Sequence, residues 1–222
     1  MLTFLFPAFF LVSSIASAAN VGPWQVLFDG RNTDAWRGFR QSSFPSQGWI
    51  VQNGSLCHVA QVNAGDLITK KEYGSFELVL DWAITEGGNS GVLYRVSEAG
   101  QMSWETGAEM QILDDLHHPD GRNPLTSAGS LYGLIGAQGK TLAPVGQFNR
   151  ARLLVIGNHV EHWLNGRKLV EYEFGSPAWE SLVASSKFKD LPNYGRNPVG
   201  HIALQDHWDG ACFRNIMIRE IR

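Results

Sequence analysis

The chain has 222 residues and a formal net charge of -3, and no cluster of basic residues stands out along it. We therefore expect no nucleic-acid partner. Eight tryptophans and 24 glycines, together with few long helical patterns, favour an all-β domain.

The first segment has the pattern of a targeting sequence. Leu2 to Ile15 is mostly apolar, and Ala16-Ser17-Ala18 fits a cleavage site of small residues, although Lys and Arg are missing before the apolar run. The run is too short for a membrane span. We predict a signal peptide over 1–19 and an exported, periplasmic or extracellular protein with no stable membrane span after cleavage. An uncleaved anchor is the alternative. Residues 20–222 are long enough for one domain.

Hairpin signals recur along this domain. Asn53-Gly54 separates two strand patterns, as in a type I′ turn, and a three-strand meander follows over 152–173. Ser176 and Pro177 fit the start of a helix over 177–187. Ten or more strands with one short helix predict a jelly-roll sandwich of two antiparallel sheets. The predicted strands cover 49–52, 55–58, 76–84, 91–96, 109–113, 131–135, 152–156, 159–164, 167–173, 201–205 and 212–221.

The two cysteines, Cys57 and Cys212, lie on an early and on the last predicted strand. An exported chain permits a disulfide, and such strands often pair in sandwiches. Two buried free thiols fit the sequence equally well, so the pairing stays open at this point.

The segment from Glu109 to Asp114 alternates polar and apolar side chains. Met110 and Ile112 would face a core, and Glu109 and Gln111 would share the opposite face of the strand. Two hydrogen-bonding groups side by side on a sheet suggest the floor of a polar-ligand site. On these six residues alone, a solvated outer strand is the favoured explanation of the pattern.

Several blocks of sequence follow one another in a recognisable order. They are Gly65 to Leu78, Gly88-Asn89-Ser90-Gly91-Val92-Leu93-Tyr94-Arg95, Glu109-Met110-Gln111-Ile112-Leu113-Asp114-Asp115, Gly157 to Gly166 and Gly200 to His207. In this order they resemble the 3-keto-disaccharide hydrolase domain family. The likeness begins at Phe28-Asp29-Gly30 and ends at Phe213-Arg214-Asn215-Ile216, and it implies a concanavalin A-like fold.

The resemblance implies cleavage of glycosides whose sugar carries a ketone at C3, with a carbohydrate as the substrate. A C3 ketone acidifies the C2 hydrogen, because the resulting carbanion delocalises as an enolate. A base removes this hydrogen, the C1 glycosidic oxygen leaves by β-elimination, and water adds to the enone. The site then needs a base near C2, a donor or metal at the C3 oxygen, and an acid at the leaving oxygen.

The alternation of the strands and the family pattern together select the candidate residues. Glu109 is the candidate base, His207 a candidate acid or base, and Lys70 and Arg95 candidate stabilisers of the enolate oxygen. Trp163 shares strand parity with His159 and Glu161 and is a candidate stacking wall. Each residue taken singly also fits a structural or solvent role. The candidate substrate-binding residues are Gln111, Asn89, Trp163, Gln205, Tyr132 and His201.

The loop after the Glu109 strand mixes carboxylates with imidazoles. Asp114 and His117 are candidate ligands for a divalent metal such as Ca or Mn, although the spacing matches no fixed motif and a polar surface loop is the alternative. The chain has no dinucleotide fingerprint, so we expect no nicotinamide or flavin. A separate sugar 3-dehydrogenase would then have to supply the ketone.

Two other functions compete with elimination. A retaining glycosidase on the same sandwich carries E-x-D-x-E along one strand, whereas the corresponding positions here are Glu109, Gln111 and Leu113. The second carboxylate that such hydrolysis requires is missing, and Asp114 has the wrong parity in a regular strand. The other rival is a non-catalytic, lectin-like carbohydrate-binding module, which needs the polar face but no acid or base.

Overall fold

The computed structural model describes residues 20–222, so the predicted signal peptide over 1–19 lies outside the described residues. Single turns of 3₁₀ helix occur at Ser103–Glu105 and Pro119–Arg122. The elements are β1 (Gln25–Phe28), β2 (Trp36–Gly38), β3 (Trp49–Gln52), β4 (Ser55–His58), β5 (Leu67–Thr69), β6 (Phe76–Ile84), β7 (Asn89–Val96), β8 (Ala108–Leu113), β9 (Asn149–Ile156), β10 (His159–Leu164), β11 (Arg167–Glu173), α1 (Pro177–Ala184), β12 (His201–Leu204) and β13 (Ala211–Glu220).

The strands form two antiparallel sheets, which confirms the predicted sandwich. The larger sheet has eight strands in the order β11-β10-β9-β6-β13-β4-β3, with β1 paired to β13. The smaller sheet has five strands in the order β2-β5-β12-β7-β8. One core packs between the sheets, and its largest fully buried side chains include Trp36, Trp82, Phe76 and Phe213. Inner and outer faces therefore alternate along the strands.

The two Asn-Gly turns have the predicted geometry. Asn53 and Gly54 have φ values of 50° and 72°, and Asn165 and Gly166 have 48° and 82°. Two successive positive φ values are what a type I′ turn requires. The first turn joins β3 to β4 and the second joins β10 to β11, in the registers that the sequence predicts.

The predicted strand over 131–135 is wrong. Gly133 has a φ of 72°, so the chain turns back on itself and Leu131 bridges Ile135. The same segment pairs with the open edge of β8, where the Tyr132 N–H donates to the Glu109 carbonyl at 3.1 Å. Covering this edge satisfies its backbone groups and brings Tyr132 beside Glu109.

Cys57 and Cys212 form a disulfide, which resolves the question that the sequence left open. The two residues are directly opposed in the pairing of β4 with β13, and their Cα atoms are 4.1 Å apart. The bond joins positions separated by 155 residues.

Helix α1 begins as predicted but ends three residues early, at Ala184. The Ser176 hydroxyl caps it by accepting a hydrogen bond from the Trp179 N–H at 3.1 Å. Trp179 and Val183 are its buried side chains. Within residues 20–222, no helix has the length and apolar character needed to cross a membrane.

Candidate active site

A pocket lies on the five-stranded sheet, on the face turned away from the sandwich core. Met110 and Ile112 pack into the core, as predicted, and Glu109 and Gln111 point the other way, into the pocket. The lining residues are Asn89, Trp104, Glu109, Gln111, Tyr132, Lys187, Phe188, Gln205 and His207. Six of these nine residues were candidates from the sequence.

The sheet order explains why these candidates meet. Strands β8, β7 and β12 are neighbours, so side chains with the same parity lie side by side. Gln111 is opposite Gly91 in the pairing of β7 with β8, and the Gln205 N–H donates to the Gly91 carbonyl at 3.0 Å. Gly91 has no side chain for a reason: a Cβ there would collide with the Glu109 carboxylate.

Glu109 is a buried carboxylate without a hydrogen-bonding partner. It is 6% exposed, and its side chain accepts no hydrogen bond from residues 20–222. Burial raises the pKa of Glu109 to about 8, the Lys187 ammonium opposes this rise, and the Asp66 carboxylate adds to it. A carboxyl group with a pKa near neutral pH, held in a pocket, has the properties of a general base.

Three amides around Glu109 also have free hydrogen-bonding atoms. The Oδ1 of Asn89, the Oε1 and Nε2 of Gln111 and the Oε1 of Gln205 are buried and have no partner within residues 20–222. Gln111 is only 1% exposed. Buried polar groups in folded proteins are nearly always bonded. These amides are therefore suited to bind the hydroxyl groups of a ligand.

Lys187 is a pocket residue that the sequence did not reveal. Its Nζ lies 4.2 Å from the Tyr132 ring centroid and 5.2 Å from the Phe188 ring centroid. Burial lowers the pKa of Lys187, and the charges of Glu109 and Asp120 oppose that change. The residue follows helix α1 in an irregular segment, where strand parity says nothing about direction.

An aromatic stack holds the Lys187 segment in place. Phe188 stacks on Tyr194 with ring centroids 4.1 Å apart, and Tyr194 stacks on Trp179 of α1 at 5.9 Å. Trp179 in turn stacks on Tyr172 of β11 at 5.2 Å. The stack fixes the position of the neighbouring Lys187 backbone relative to the sheets.

Tyr132 and His207 add proton donors at the pocket wall. The Tyr132 hydroxyl donates to Asp120 Oδ2 at 3.3 Å, and burial together with the Asp120 and Glu109 charges raises the pKa of Tyr132 to about 12. Tyr132 therefore keeps its proton at neutral pH. His207 is half-exposed, with its Nδ1 4.0 Å from Asp209 Oδ2, so it is accessible to a ligand that extends toward solvent.

Trp104 forms the wall that the sequence assigned to another tryptophan. It lies on the 3₁₀ helix Ser103–Glu105. There it is partly buried against the core and against a second, small cluster formed by Ile68, Leu93, Val96 and Ala203. An indole face suits the apolar C–H face of a sugar ring. Trp163 has the predicted parity but belongs to β10, on the outer face of the larger sheet. There its Nε1 donates to Glu161 at 2.7 Å, so it does not line the pocket.

The structure places Arg95 and Lys70 away from the pocket. Arg95 has a φ of 55° within a bulge of β7, where one additional residue interrupts the pairing with β12. The bulge changes the parity, so the guanidinium lies 4.9 Å from the Phe174 ring centroid and donates to the Gly157 carbonyl. Lys70 is exposed just after β5. Neither side chain lines the pocket, and Lys187 is the cation that does.

His201 has the predicted parity but lies at the opposite end of β12 from Gln205. It pairs with Val96, and its Nδ1 is 2.7 Å from the Thr69 carbonyl oxygen. It is not among the residues that line the pocket. Parity therefore identified the correct face, while position along the strand separated the two residues.

The candidate metal ligands Asp114 and His117 contact each other but already have partners. Asp114 accepts hydrogen bonds from the N–H groups of Gly87 at 2.8 Å and Leu116 at 3.1 Å, and His117 Nδ1 is 2.6 Å away. Burial alone would raise the pKa of Asp114, but these bonds lower it. The carboxylate anchors the bend before β7 and the loop after β8, outside the pocket.

Another group of side chains can hold a metal ion. His159, Glu161 and Glu171 offer ligand atoms within 4.8 Å of one another on the outer face of the larger sheet. The Lys168 ammonium lies 3.1 Å from Glu161 and 2.5 Å from Glu171, and it competes for the same oxygens. Because this cluster is not at the pocket, it offers no ligand to the C3 oxygen of a sugar bound there.

Comparisons with known proteins show the family and the fold of the chain. Residues 23–219 match the family described as the 3-keto-alpha-glucoside-1,2-lyase-like domain. A 3-keto-disaccharide hydrolase from Bacteroides thetaiotaomicron is 32% identical over 87% of this chain and 77% of its own length. A crystal structure of a candidate glycosyl hydrolase from Parabacteroides distasonis superposes with a TM-score of 0.82, at 32% identity, covering 90% of this chain and 94% of that one.

A more distant structure shows the fold alone. The laminarinase from Rhodothermus marinus superposes with a TM-score of 0.53 at 9% identity, over 90% of this chain and 99% of that one. The sandwich is therefore shared with a conventional glycosidase, and the pocket residues have to distinguish the two chemistries.

Proposed function

Because the chain belongs to the 3-keto-alpha-glucoside-1,2-lyase-like family, we propose that its pocket cleaves 3-keto-glycosides by C2 proton abstraction, β-elimination and hydration. A 3-keto-disaccharide hydrolase activity in the general sense, and with it a glycoside-cleaving enzyme, follows from the family and the curated relative. The elimination route is our proposal. The observation that carries it is the buried carboxylate of Glu109, the one carboxylate among the pocket-lining residues of the described chain.

Glu109 has the environment of a base for a C–H proton. Its pKa of about 8 makes it a stronger base than a solvated carboxylate, and the ketone of the substrate acidifies the proton that it removes. As the proton moves to Glu109, negative charge appears on the C3 oxygen. The Lys187 ammonium, on the same pocket wall, stabilises that enolate electrostatically.

The second half of the reaction needs an acid and a water molecule. His207 is half-exposed at the pocket, so it can donate a proton to the C1 oxygen as the C1–O bond breaks and the aglycone leaves toward solvent. Water then adds at C1 of the enone and gives one proton back to His207, while protonated Glu109 returns a proton to C2. The sum is one glycosidic bond broken and one water consumed.

The remaining lining residues bind and orient the ring. The free amide atoms of Asn89, Gln111 and Gln205 supply donors and acceptors for sugar hydroxyls. Trp104 and Phe188 supply apolar surface for the C–H face of the ring. Such positioning contributes to the rate by holding C2 close to the Glu109 carboxylate.

Location and supply of substrate belong to the same proposal. The signal pattern over 1–19 and the disulfide both suit an exported protein, periplasmic or extracellular. The C3 ketone has to come from an oxidation, which we assign to a separate sugar 3-dehydrogenase.

Solvent isotope incorporation tests the route directly. Purified protein is incubated in D₂O with 3-keto-trehalose, 3-keto-sucrose or an aromatic 3-keto-glucoside, with and without Ca²⁺ or Mn²⁺. When the proton on Glu109 exchanges with D₂O before it returns, elimination and hydration leave one deuterium at C2 of the released 3-keto-glucose, whereas direct hydrolysis leaves hydrogen there. 3-Keto-glucose incubated with the protein measures background exchange. If all substrates stay intact, the function itself is wrong.

The two rival functions give different outcomes in the same assay. A lectin-like module binds the sugar and releases no product. A retaining glycosidase needs a second flanking carboxylate, but Leu113 occupies that strand position inside the core and Glu109 is the sole carboxylate among the lining residues of the described chain. A retaining glycosidase would also cleave the parent glucoside, which lacks the ketone. The elimination enzyme would leave that glucoside intact.

A further inference from the structure

Asp66 is a buried carboxylate that binds two separate segments at the pocket. It is 8% exposed, its Oδ2 accepts a hydrogen bond from the Ser103 hydroxyl, and its Oδ1 accepts one from the Asp206 N–H at 2.8 Å. Ser103 directly precedes Trp104, and Asp206 directly precedes His207. Asp66 does not line the pocket itself. It binds the residues that directly precede two lining residues, Trp104 and His207.

The link between Asp66 and Asp206 runs in both directions. While Asp66 accepts from the Asp206 N–H, the Asp206 carboxylate accepts from the N–H groups of Ala64 at 2.8 Å and Gly65 at 2.9 Å. Asp206 also lies 3.0 Å from His58 Nε2. The segments 64–66 and 206–208 are thus tied by three hydrogen bonds, which hold the backbone directly before His207.

We propose that Asp66 is a positioning residue that fixes the Trp104 and His207 walls of the pocket. The inference rests on the proposed function for its catalytic meaning, and on geometry alone for the two walls. Asp66 itself touches no substrate, since it is absent from the lining of the pocket.

Asp66 also belongs to the charged and titratable groups that surround Glu109. Lys187, His207 and Tyr132 face Glu109 from the pocket, and Tyr94 and Tyr194 face it from the core. Asp66 adds a like charge that raises the pKa of Glu109. Burial raises the pKa of Asp66 to about 6, and the charge of Asp206 adds to this rise. The hydrogen bonds from Ser103 and Asp206 and the charge of His58 oppose it. Asp66 is therefore ionised in the pH range in which Glu109 titrates.

Two substitutions separate the charge from the hydrogen bonds. Asp66→Asn keeps the shape and removes the charge, while Ser103→Ala keeps the charge and removes the tie to the Trp104 turn. Ser55→Ala is the matched control, because Ser55 is buried in β4 and does not line the pocket. Melting temperatures measured for each variant show how much global stability changes.

The first readout needs no turnover. In ¹³C-Glu-labelled protein, with the signal assigned by Glu109→Gln, the carboxyl titration of Glu109 should move to lower pH in Asp66→Asn and stay in place in Ser55→Ala. In ¹⁵N-labelled protein, the indole signal of Trp104 should shift in Asp66→Asn and Ser103→Ala. An indole signal that stays in place in both Asp66→Asn and Ser103→Ala overturns the proposal.

The second readout uses the reaction. We expect KM to rise about tenfold in Ser103→Ala, because one buried hydrogen bond that holds the Trp104 turn is lost. The pH profile of kcat/KM should not change. In Asp66→Asn the ascending limb of that profile should also move to lower pH, which a structural defect alone would not cause. If the wild-type protein cleaves no 3-keto-glycoside, the proposed function fails. The NMR signals of the variants still decide the role of Asp66.

Discussion

Glutamates on the outer face of the larger sheet and Glu109 on the smaller sheet differ in their hydrogen-bond partners and in the direction of their pKa shifts. On the outer face of the larger sheet, Glu77 accepts hydrogen bonds from Arg152 and Arg219, and Glu161 accepts them from Trp163 and Lys168. Burial alone would raise the pKa of both carboxyls, but these bonds lower it.

In the pocket of the smaller sheet, Glu109 accepts no hydrogen bond from residues 20–222, and burial raises its pKa instead. A protein that pairs its carboxylates carefully on one sheet leaves this one unpaired on the other. The difference teaches that pairing serves stability and that unpaired groups are kept for a ligand, at a cost to stability.

The largest effect should come from removing the base. Glu109→Gln should lower kcat by about 10³–10⁴-fold, the upper part of the range for general-base catalysis, while binding of the 3-keto-glycoside is retained. Glu161→Gln, on the outer face, should stay within about twofold of wild type. Product formation and isothermal titration calorimetry check both statements. Equal losses in the two variants would remove the distinction between the faces.

Replacing the pocket cation should have the next largest effect. Lys187→Met should lower kcat by about 10²–10³-fold, because the enolate oxygen loses its electrostatic partner. Lys168→Met is the control, since Lys168 pairs with Glu161 and Glu171 on the outer face and should be dispensable for turnover. Steady-state kinetics on one 3-keto-glucoside decides the matter, and a Lys187→Met enzyme with wild-type kcat would contradict the assignment.

The two tryptophans give a smaller contrast. Trp104→Ala should raise KM about tenfold through the loss of an aromatic contact with the ring, with kcat little changed. Trp163→Ala should leave KM unchanged, because the ring packs under Arg152 with 5.0 Å between the guanidinium carbon and the ring centroid. The measurement is KM for the same substrate. A reversed order would place the sugar on the other sheet.

The smallest effect is on stability, and its sign differs between the sheets. The pKa of Glu109 is raised in the folded protein, so its carboxyl favours folding below about pH 4.5 and that stability is lost as the pH rises through about 8. Glu109→Gln should therefore raise the melting temperature at pH 9 by about 3 °C or more, and have little effect at pH 5.

Glu77 provides the opposite case. Its pKa is lowered in the folded protein, so its stabilising contribution is present at neutral pH and is lost as the pH falls through the acidic range. Glu77→Gln should lower the melting temperature at pH 7 by a few degrees. Thermal melts at pH 5, 7 and 9 test both signs, and a destabilised Glu109→Gln at pH 9 would show that the carboxylate is not a cost to the fold.

The sequence predicted those parts of the site that depend on strand parity. Alternation placed Glu109 and Gln111 on one face and Met110 and Ile112 on the other, and the sheet order then brought Asn89 and Gln205 beside them. The Asn-Gly turns and the Ser176 cap were predictable because each depends on local chemistry.

Other residues could not be placed by parity. The bulge in β7 redirects Arg95, and nothing in an alternating pattern marks one additional residue. Trp163 shows a different limit, since parity tells which side of a strand a residue occupies but not which sheet the strand joins. Lys187, Phe188 and Trp104 reach the pocket from irregular segments through tertiary contacts alone.

The disulfide has a consequence for how the protein withstands proteolysis. Cys57 and Cys212 connect an early strand to the last strand of the domain, at a sequence separation of 155. A protease that cuts a surface loop anywhere in this interval, such as 115–126, leaves two fragments that remain covalently joined. The nicked domain can keep both its sheets together, and only a reducing environment lets the pieces part.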